Sequence, residues 1–439
     1  MKHIFFTGLL LFAQIAFARE KIRTMDDCIR YAVEHNPQRA KQEAQNTIYK
    51  IDQREAITGF LPSLSAGTGA SFNFGRGVDP ETNTYISTNT FSNSYEIYAS
   101  VVLFDGFSQI YKVKLAKNNR LAGKAQLQDT KDRIALDVME IFFNASYYKG
   151  TVNLAEKQLQ ESLDNLKRIK RMEELGMKSS PDVAEIEAKE AEDRFMLTKQ
   201  KNLLNLEIIK LKEKMNLPAE EDLLIAEAGN SDLALLSNEN STEIFGQALQ
   251  TLPKLLSSEQ YLKSKDAEYK ATRSRMFPTI SANAGFSTGF SRLMDASPYM
   301  SFKEQLKNRE GSYIGLSLSI PLFDRLSRAS ETRRSKQRLI IAGNENEEIR
   351  RQVYGEIEQT LADVKGLYDE YNSAKRKTEA MEAAHKVNVR KYDEGLINAL
   401  ELATSTNRLL NARVEELYTN LKYQLKYKLL QYYKGEFNP

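Results

Sequence analysis

The chain has 439 residues, with 62 Lys and Arg against 59 Asp and Glu and a formal net charge of +3. So even a balance gives no electrostatic basis for tight nucleic-acid binding. Its one cysteine, Cys28, excludes an internal disulfide, and three histidines are thin material for metal or acid–base chemistry, so no catalytic, cofactor or metal site is predicted.

Residues 1–18 read as a secretory signal: Lys2 gives a basic start, Ile4 to Ala13 an apolar core, and Ala16-Phe17-Ala18 a small-x-small cleavage site before Arg19. The alternative, a membrane anchor, is short of the ~20 residues a spanning helix needs. Cys28 lies too far from that site to be a lipid-modified first residue and reads as a small buried side chain on an early helix. No later stretch resembles a transmembrane helix. The exported product is therefore soluble in the periplasm, secreted, or inserted in an outer membrane as strands.

Residues 24–35 suit a short helix with Thr24 as N-cap and Asp27 in the capping-box position. Pro37 starts a second helix running to Phe60, which Pro62 ends. From there the period changes to two. Leu64, Ala66, Thr68, Ala70, Phe72 and Phe74 alternate with small polar residues over a strand at about 62–75. The polar stretch 75–93 reads as a loop, and a second strand covers about 94–104, with Tyr95, Ile97, Ala99, Val101 and Leu103 on one face. Asp105 is a natural N-cap for a long helix over about 106–174, whose seam Ile134, Val138, Ile141, Ala145, Tyr148, Val152, Ala155 and Leu159 steps alternately by four and three. Such a helix spans on the order of 100 Å. Gly176 breaks it, and a return helix follows over about 181–215.

The acidic, Asn-rich segment 217–240 reads as a solvated linker between two repeats, 19–216 and 241–439. Pro62 returns as Pro278, 216 positions on; Asp105 returns as Asp324 and Gly176 as Gly395, 219 positions on. The second repeat accordingly holds strands at about 278–290 and 312–321, a loop at about 291–311, and long helices over about 325–392 and 399–433. Its seam is Val353, Ile357, Thr360, Val364, Leu367, Tyr371, Ala374 and Thr378. A period this long is a tandem duplication of a helix–hairpin–helix module, not a solenoid.

Each strand shows one apolar and one small-polar face over roughly ten residues, as a tilted strand crossing an outer membrane does. Aromatics near the strand ends (Phe72, Phe74, Tyr95, Phe290, Tyr313) read as interfacial girdles. The alternative is a half-buried sheet on a soluble helical body. Four strands cannot close in lipid, because each open backbone group costs several kcal/mol; three chains would give a twelve-stranded barrel.

At this point the sequence resembles the TolC-like outer-membrane efflux channel family, over essentially the whole mature chain. The carriers are the duplication, the Leu61-Pro62 and Phe277-Pro278 strand entries, the run Gly315 to Asp324 (GLSLSIPLFD), and the stretch Tyr392 to Leu402 (YDEGLINALEL) with its Tyr-x-x-Gly turn. The resemblance implies a mainly α fold with membrane β: a homotrimeric twelve-stranded barrel in the outer membrane of a Gram-negative bacterium, continued by a periplasmic α-helical coiled-coil tunnel. The short helices and the linker would form an equatorial belt. The implied role is a passive duct of a tripartite efflux or type I secretion system, not an enzyme, with a periplasmic adaptor (membrane fusion) protein, an inner-membrane pump and outer-membrane lipid as partners. The alternative function is an exported coiled-coil scaffold without channel activity.

The resemblance also places residues. Glu401 falls where members often have an acidic residue lining the periplasmic aperture, and Thr404 replaces a second acidic residue of some members. Ile397 stands where some have an arginine of a polar lock, and Tyr392 matches the tyrosine of that lock. Asp182 is the repeat equivalent of Glu401; for both, the plain reading is charge favoured at a helix N-terminus. The turns carrying Gly176, Met177 and Ser180, and Gly395, Leu396 and Asn398, would contact the adaptor.

Overall fold

The computed structural model describes residues 22–78, 82–87, 89–226, 239–294 and 300–437. The signal-peptide reading and the middle of the linker lie outside the described residues, as do parts of both strand-connecting loops. In chain order the elements are β1 (Ile22–Arg23), α1 (Met25–His35), α2 (Pro37–Thr58), β2 (Ser63–Asn73), β3 (Arg76–Val78), β4 (Tyr85–Ser87), β5 (Thr90–Phe104), α3 (Ser108–Glu174) and α4 (Ser180–Met215). They continue with β6 (Leu224–Ile225), α5 (Ser241–Thr251), α6 (Pro253–Ser274), β7 (Thr279–Leu293), α7 (Phe302–Asn308), β8 (Gly311–Ser319), α8 (Ser327–Asp393) and α9 (Ala399–Lys434). The chain divides into two compact units. One comprises Met1–Lys41, Gln128–Leu252 and Val353–Pro439, the other Gln42–Leu127 and Pro253–Gln352. Among the described residues no helix is long and apolar enough to cross a membrane.

The first unit is helical. The capping box of Thr24 and Asp27 opens α1, whose Cys28, Ile29 and Ala32 are buried against Val138, Phe142 and Leu211. Burial pushes the Cys28 thiol up to about 12, so it is an inert apolar filler. Along α3 the seam residues Ile134, Val138, Ala145, Val152, Ala155 and Leu159 are buried, with Ile141 and Tyr148 half-buried. Along α8, Val353, Ile357, Thr360, Val364, Leu367, Ala374 and Thr378 are buried and Tyr371 is half-buried. The linker is only partly solvated. Leu217, Leu223 and Ile225 join the core, and β6 pairs in parallel with β1. The acidic run supplies Glu221, which pairs with Arg23 at 3.5 Å.

The second unit is built on an antiparallel sheet in the order β2-β5-β7-β8. Its register sets Leu64 opposite Ala99, Ala99 opposite Ala284 and Ala284 opposite Ile314, so the apolar positions of all four strands share one face. The other face carries Ser65, Glu96, Tyr98, Gly285 and Ser317. The apolar face is open: Leu64 is 74%, Leu316 75% and Ile314 89% exposed.

Several sequence expectations are corrected here. Tyr313 is not on the apolar face. It pairs with Gly285, and its ring lies within 2.4 Å of where a Cβ on that glycine would be, so it covers the small-polar face. The stretch read as a loop over 75–93 contains the β3–β4 hairpin and the start of β5, where Phe91 pairs with Phe72. The stretch over 291–311 contains the end of β7 and all of α7. The second helix ends at Thr58. The Gly59 amide still donates four residues back, to the Glu55 carbonyl, but Phe60 and Leu61 donate three residues back, tightening the chain into Pro62.

Asp105 and Asp324 are also not immediate N-caps. α3 and α8 start three residues later, at Ser108 and Ser327, after two left-handed residues: Gly106 and Phe107 in one repeat, Arg325 and Leu326 in the other. Each carboxylate still serves its helix, accepting from the amide of Gln109 at 2.8 Å and of Arg328 at 3.0 Å. Pro62 and Pro278 each immediately precede the strand they were assigned to open.

Candidate functional site: the two helix-connecting turns

The turns joining α3 to α4 and α8 to α9 are backbone replicas. Gly176 and Gly395 sit at φ +74° and +75°. Their amides bond to Glu173 and Tyr392, and those of Met177 and Leu396 reach back to Met172 and Lys391, the paired bonds of a Schellman cap. A Cβ at either glycine would meet nothing within 4 Å, so the left-handed backbone alone selects glycine. Leu175, Met177, Leu396 and Leu400 are exposed around these turns, as are Ser180 and Asn398.

The following helix starts differ in chemistry. At α4 the Asp182 carboxylate turns back onto Ser179, accepting from its N–H at 3.0 Å and its hydroxyl at 2.8 Å. Those bonds hold the carboxyl below the ordinary aspartate value. At α9 the Asn398 side chain caps instead, accepting from the Glu401 amide at 2.8 Å. The Glu401 carboxylate is exposed and has no hydrogen bond or ion pair to any described residue. Thr404, one turn on and exposed, donates to the Leu400 carbonyl of its own helix at 2.8 Å.

Tyr392 is not with them. It is 7% exposed, in a core with Ile169, Val183, Ile186, Ala399 and Leu402, where Ile397 also packs. The ring, at the last turn of α8, is covered by the α3–α4 pair and α9 and does not share the exposure of Glu401 and Thr404. Its hydroxyl finds no hydrogen-bond partner among the described residues, and burial raises its pKa. Arg168 and Lys178 lie 5.5 and 5.6 Å from its ring centre. Arg168 reaches across to pair with Asp393 and also donates to Asn165 at 3.0 Å. The basic residues beside the tyrosine thus come from α3 and the α3–α4 turn, not from position 397.

A group missed from sequence lies further up the same helices. Asp193, 4% exposed, accepts from Lys189 at 2.8 Å, from Gln158 at 3.3 Å and from Ser162. Lys189 also donates to Glu192 and, at 2.9 Å, to Asn407 of α9. A cavity of about 480 Å³ adjoins this network, lined in part by Asn165, Arg168, His385 and Thr406. A signal was present: Ile186, Asp193, Gln200 and Glu207 recur every seven residues, a seam position occupied by polar side chains. The repeat equivalents of Gln158, Ser162, Lys189 and Asp193 are Lys377, Met381, Arg408 and Ala412, so only the first repeat has this network. Among the described residues no three His, Cys, Asp or Glu side chains cluster as metal ligands would.

Residues 244–434, from α5 through α9, match the family model described as outer membrane efflux protein. The chain is similar to outer membrane efflux proteins over this segment. No curated protein matches it by sequence. Solved structures match nearly the whole chain. CusC, described in connection with transmembrane channel formation, is 18% identical, with a TM-score of 0.79 over 94% of this chain and 92% of that one. The outer membrane protein VceC of Vibrio cholerae is 12% identical, with a TM-score of 0.79 over 94% and 96%. The CmeC outer membrane channel of Campylobacter jejuni is 14% identical, with a TM-score of 0.78 over 94% and 86%. At these identities the likeness is one of fold. The shared fold runs through the first repeat as well, outside the segment that the family model matches.

Proposed function

We propose that the protein is the outer-membrane duct of a tripartite efflux or type I secretion system, assembled as a homotrimer with a twelve-stranded barrel and a periplasmic helical tunnel. The observation that carries this reading is the sheet of the second unit. Its apolar face carries exposed residues on all four strands, Leu64, Ile97, Phe286 and Ile314 among them, its opposite face is mostly small or polar, and among the described residues β2 and β8 each pair on one side only. In water such a face and such edges invite aggregation. In lipid the face is solvated, but the edges must close, and four strands are too few. Three copies joined β8 to β2 satisfy both demands.

In that assembly the connecting turns take the periplasmic end. Their exposed Leu175, Met177 and Leu396 are the contacts offered to an adaptor, through which an inner-membrane pump delivers its cargo. Glu401, with its carboxylate uncommitted, is the stronger candidate for an acidic ring at the aperture. Asp182 is held by its own cap. The duct performs no bond chemistry; its work is passage, and the pump supplies the energy and the choice of cargo.

Cell fractionation with chemical cross-linking tests the assembly. Recovery in the outer membrane as a trimer is expected. Recovery as a soluble periplasmic monomer or dimer would instead support a coiled-coil scaffold.

A further inference from the structure

β8 ends opposite Ser287, but β7 continues through Leu293 with β5 as its partner on the other side. α7 occupies the edge that β8 vacates. Gln305, 2% exposed, accepts the Ser291 amide at 3.1 Å, as a strand carbonyl would. Thr288 donates to the Leu306 carbonyl at 2.6 Å, and Arg309 donates to the Ser291 hydroxyl at 2.7 Å.

This docking extends a row of rings. Phe72 and Phe91 lie 4.9 Å apart, Phe91 and Phe290 6.3 Å, and Phe290 and Phe302 of α7 5.2 Å, edge to face. By register Phe72, Phe91 and Phe290 belong to the apolar face. Phe302 therefore completes an aromatic border across β2, β5, β7 and the place where β8 is missing. The next β7 residue on that face is Arg292, exposed, opposite Phe91. On α7 the exposed Lys303 and Lys307 stand one turn apart. None of these three cations makes an ion pair or hydrogen bond with another described residue.

Aromatic rings at the border of an apolar face, with long unpaired cations just beyond, are the arrangement that seats side chains at a lipid–water boundary. We propose that Arg292, Lys303 and Lys307, positioned by the docking of α7 on β7, bind the phosphate groups of lipids in the adjacent leaflet. The inference rests on the membrane reading of the sheet. It adds a lipid-headgroup site to one side of each chain, built by a helix in place of strand.

The test uses the full chain, purified in detergent, with phosphatidic acid as the probe, phosphatidylcholine as the comparison and inorganic phosphate as the competitor, read by native mass spectrometry. Each near-surface cation contributes roughly five-fold to attraction of an anionic lipid. The R292Q/K303Q/K307Q variant should therefore bind phosphatidic acid at least about ten-fold more weakly than the parent, with phosphatidylcholine retention unchanged. F302A, which removes the ring that seats α7, should also weaken it. Equal retention of phosphatidic acid by parent and triple variant overturns the proposal, as does complete displacement by inorganic phosphate, which would mark a free-anion site. Fractionation of both proteins separates the two readings. If both reach the outer membrane and bind alike, only the lipid site fails; if the parent does not reach it, the duct reading fails and the lipid site with it.

Discussion

Ser179 holds the Asp182 carboxylate with both its amide and its hydroxyl, whereas at the equivalent turn Asn398 caps the Glu401 amide and leaves that carboxylate unengaged. One repeat uses its acid as a structural cap, and the other keeps the acid and delegates the cap to an amide side chain. The two acids therefore have separable roles.

Glu401→Gln is expected to reduce cation preference and divalent-ion block in planar-bilayer recordings, while Asp182→Asn leaves both unchanged. Equal effects of the two substitutions would remove the distinction, and unchanged selectivity in Glu401→Gln would remove Glu401 from the aperture.

The Asp182 cap has a pH signature. Its folded pKa is depressed, so its contribution is present above the ordinary aspartate value and is lost as pH falls through the lower, folded value. Amide hydrogen exchange in the first turn of α4 should stay slow through the usual carboxylate range and accelerate only below it. The first turn of α9, capped by Asn398, should show no such step from its cap.

Tyr392→Phe should be neutral or mildly stabilising, because the hydroxyl it removes is buried with no partner among the described residues. Tyr392→Ala should cost on the order of 3 kcal/mol through loss of packing. Denaturant unfolding of the two variants separates these outcomes. A large loss in Tyr392→Phe would mean that the hydroxyl finds a partner in the assembled protein.

Asp193→Ala should destabilise by roughly 2 kcal/mol, since it removes the buried partner of the half-buried Lys189 ammonium and leaves it only Glu192 and Asn407. Combining it with Lys189→Met should recover most of that loss. If the double variant is as unstable as the single one, packing rather than charge governs the site.

Gly176→Ala and Gly395→Ala should each cost about 1 kcal/mol, from the left-handed backbone alone. Gly106→Ala should cost more, because its Cβ would also lie 2.5 Å from the Ser274 carbonyl and 2.6 Å from Phe277. Thermal unfolding ranks the three.

The repeat made much of this arrangement readable. Prolines, capping acids and turn glycines recur at fixed shifts because each does a backbone job that tolerates few residue types. The shift even reaches Asn216 and Gly435, both left-handed helix ends 219 positions apart, which the sequence reading passed over. Side-chain environment was less legible. Phe91 was hidden in a polar run whose pairing with β2 overrides its loop-like composition. Tyr313 was assigned by chemistry, although its parity with Gly315 already put it on the other face. Asp193 escaped because the helical seam was read only for apolar residues.

The single-sided pairing of β2 and β8 also bears on biogenesis. If the chain is exported as proposed and forms this sheet alone, it displays two strand templates beside an apolar surface, in a water-filled compartment, before any partner arrives. Its lifetime in that state is a race between joining like copies and joining anything else with a free edge. On the proposed trimer, a holdase that shields the sheet, or a delay in forming it until three chains meet at the membrane, would raise the yield of working ducts.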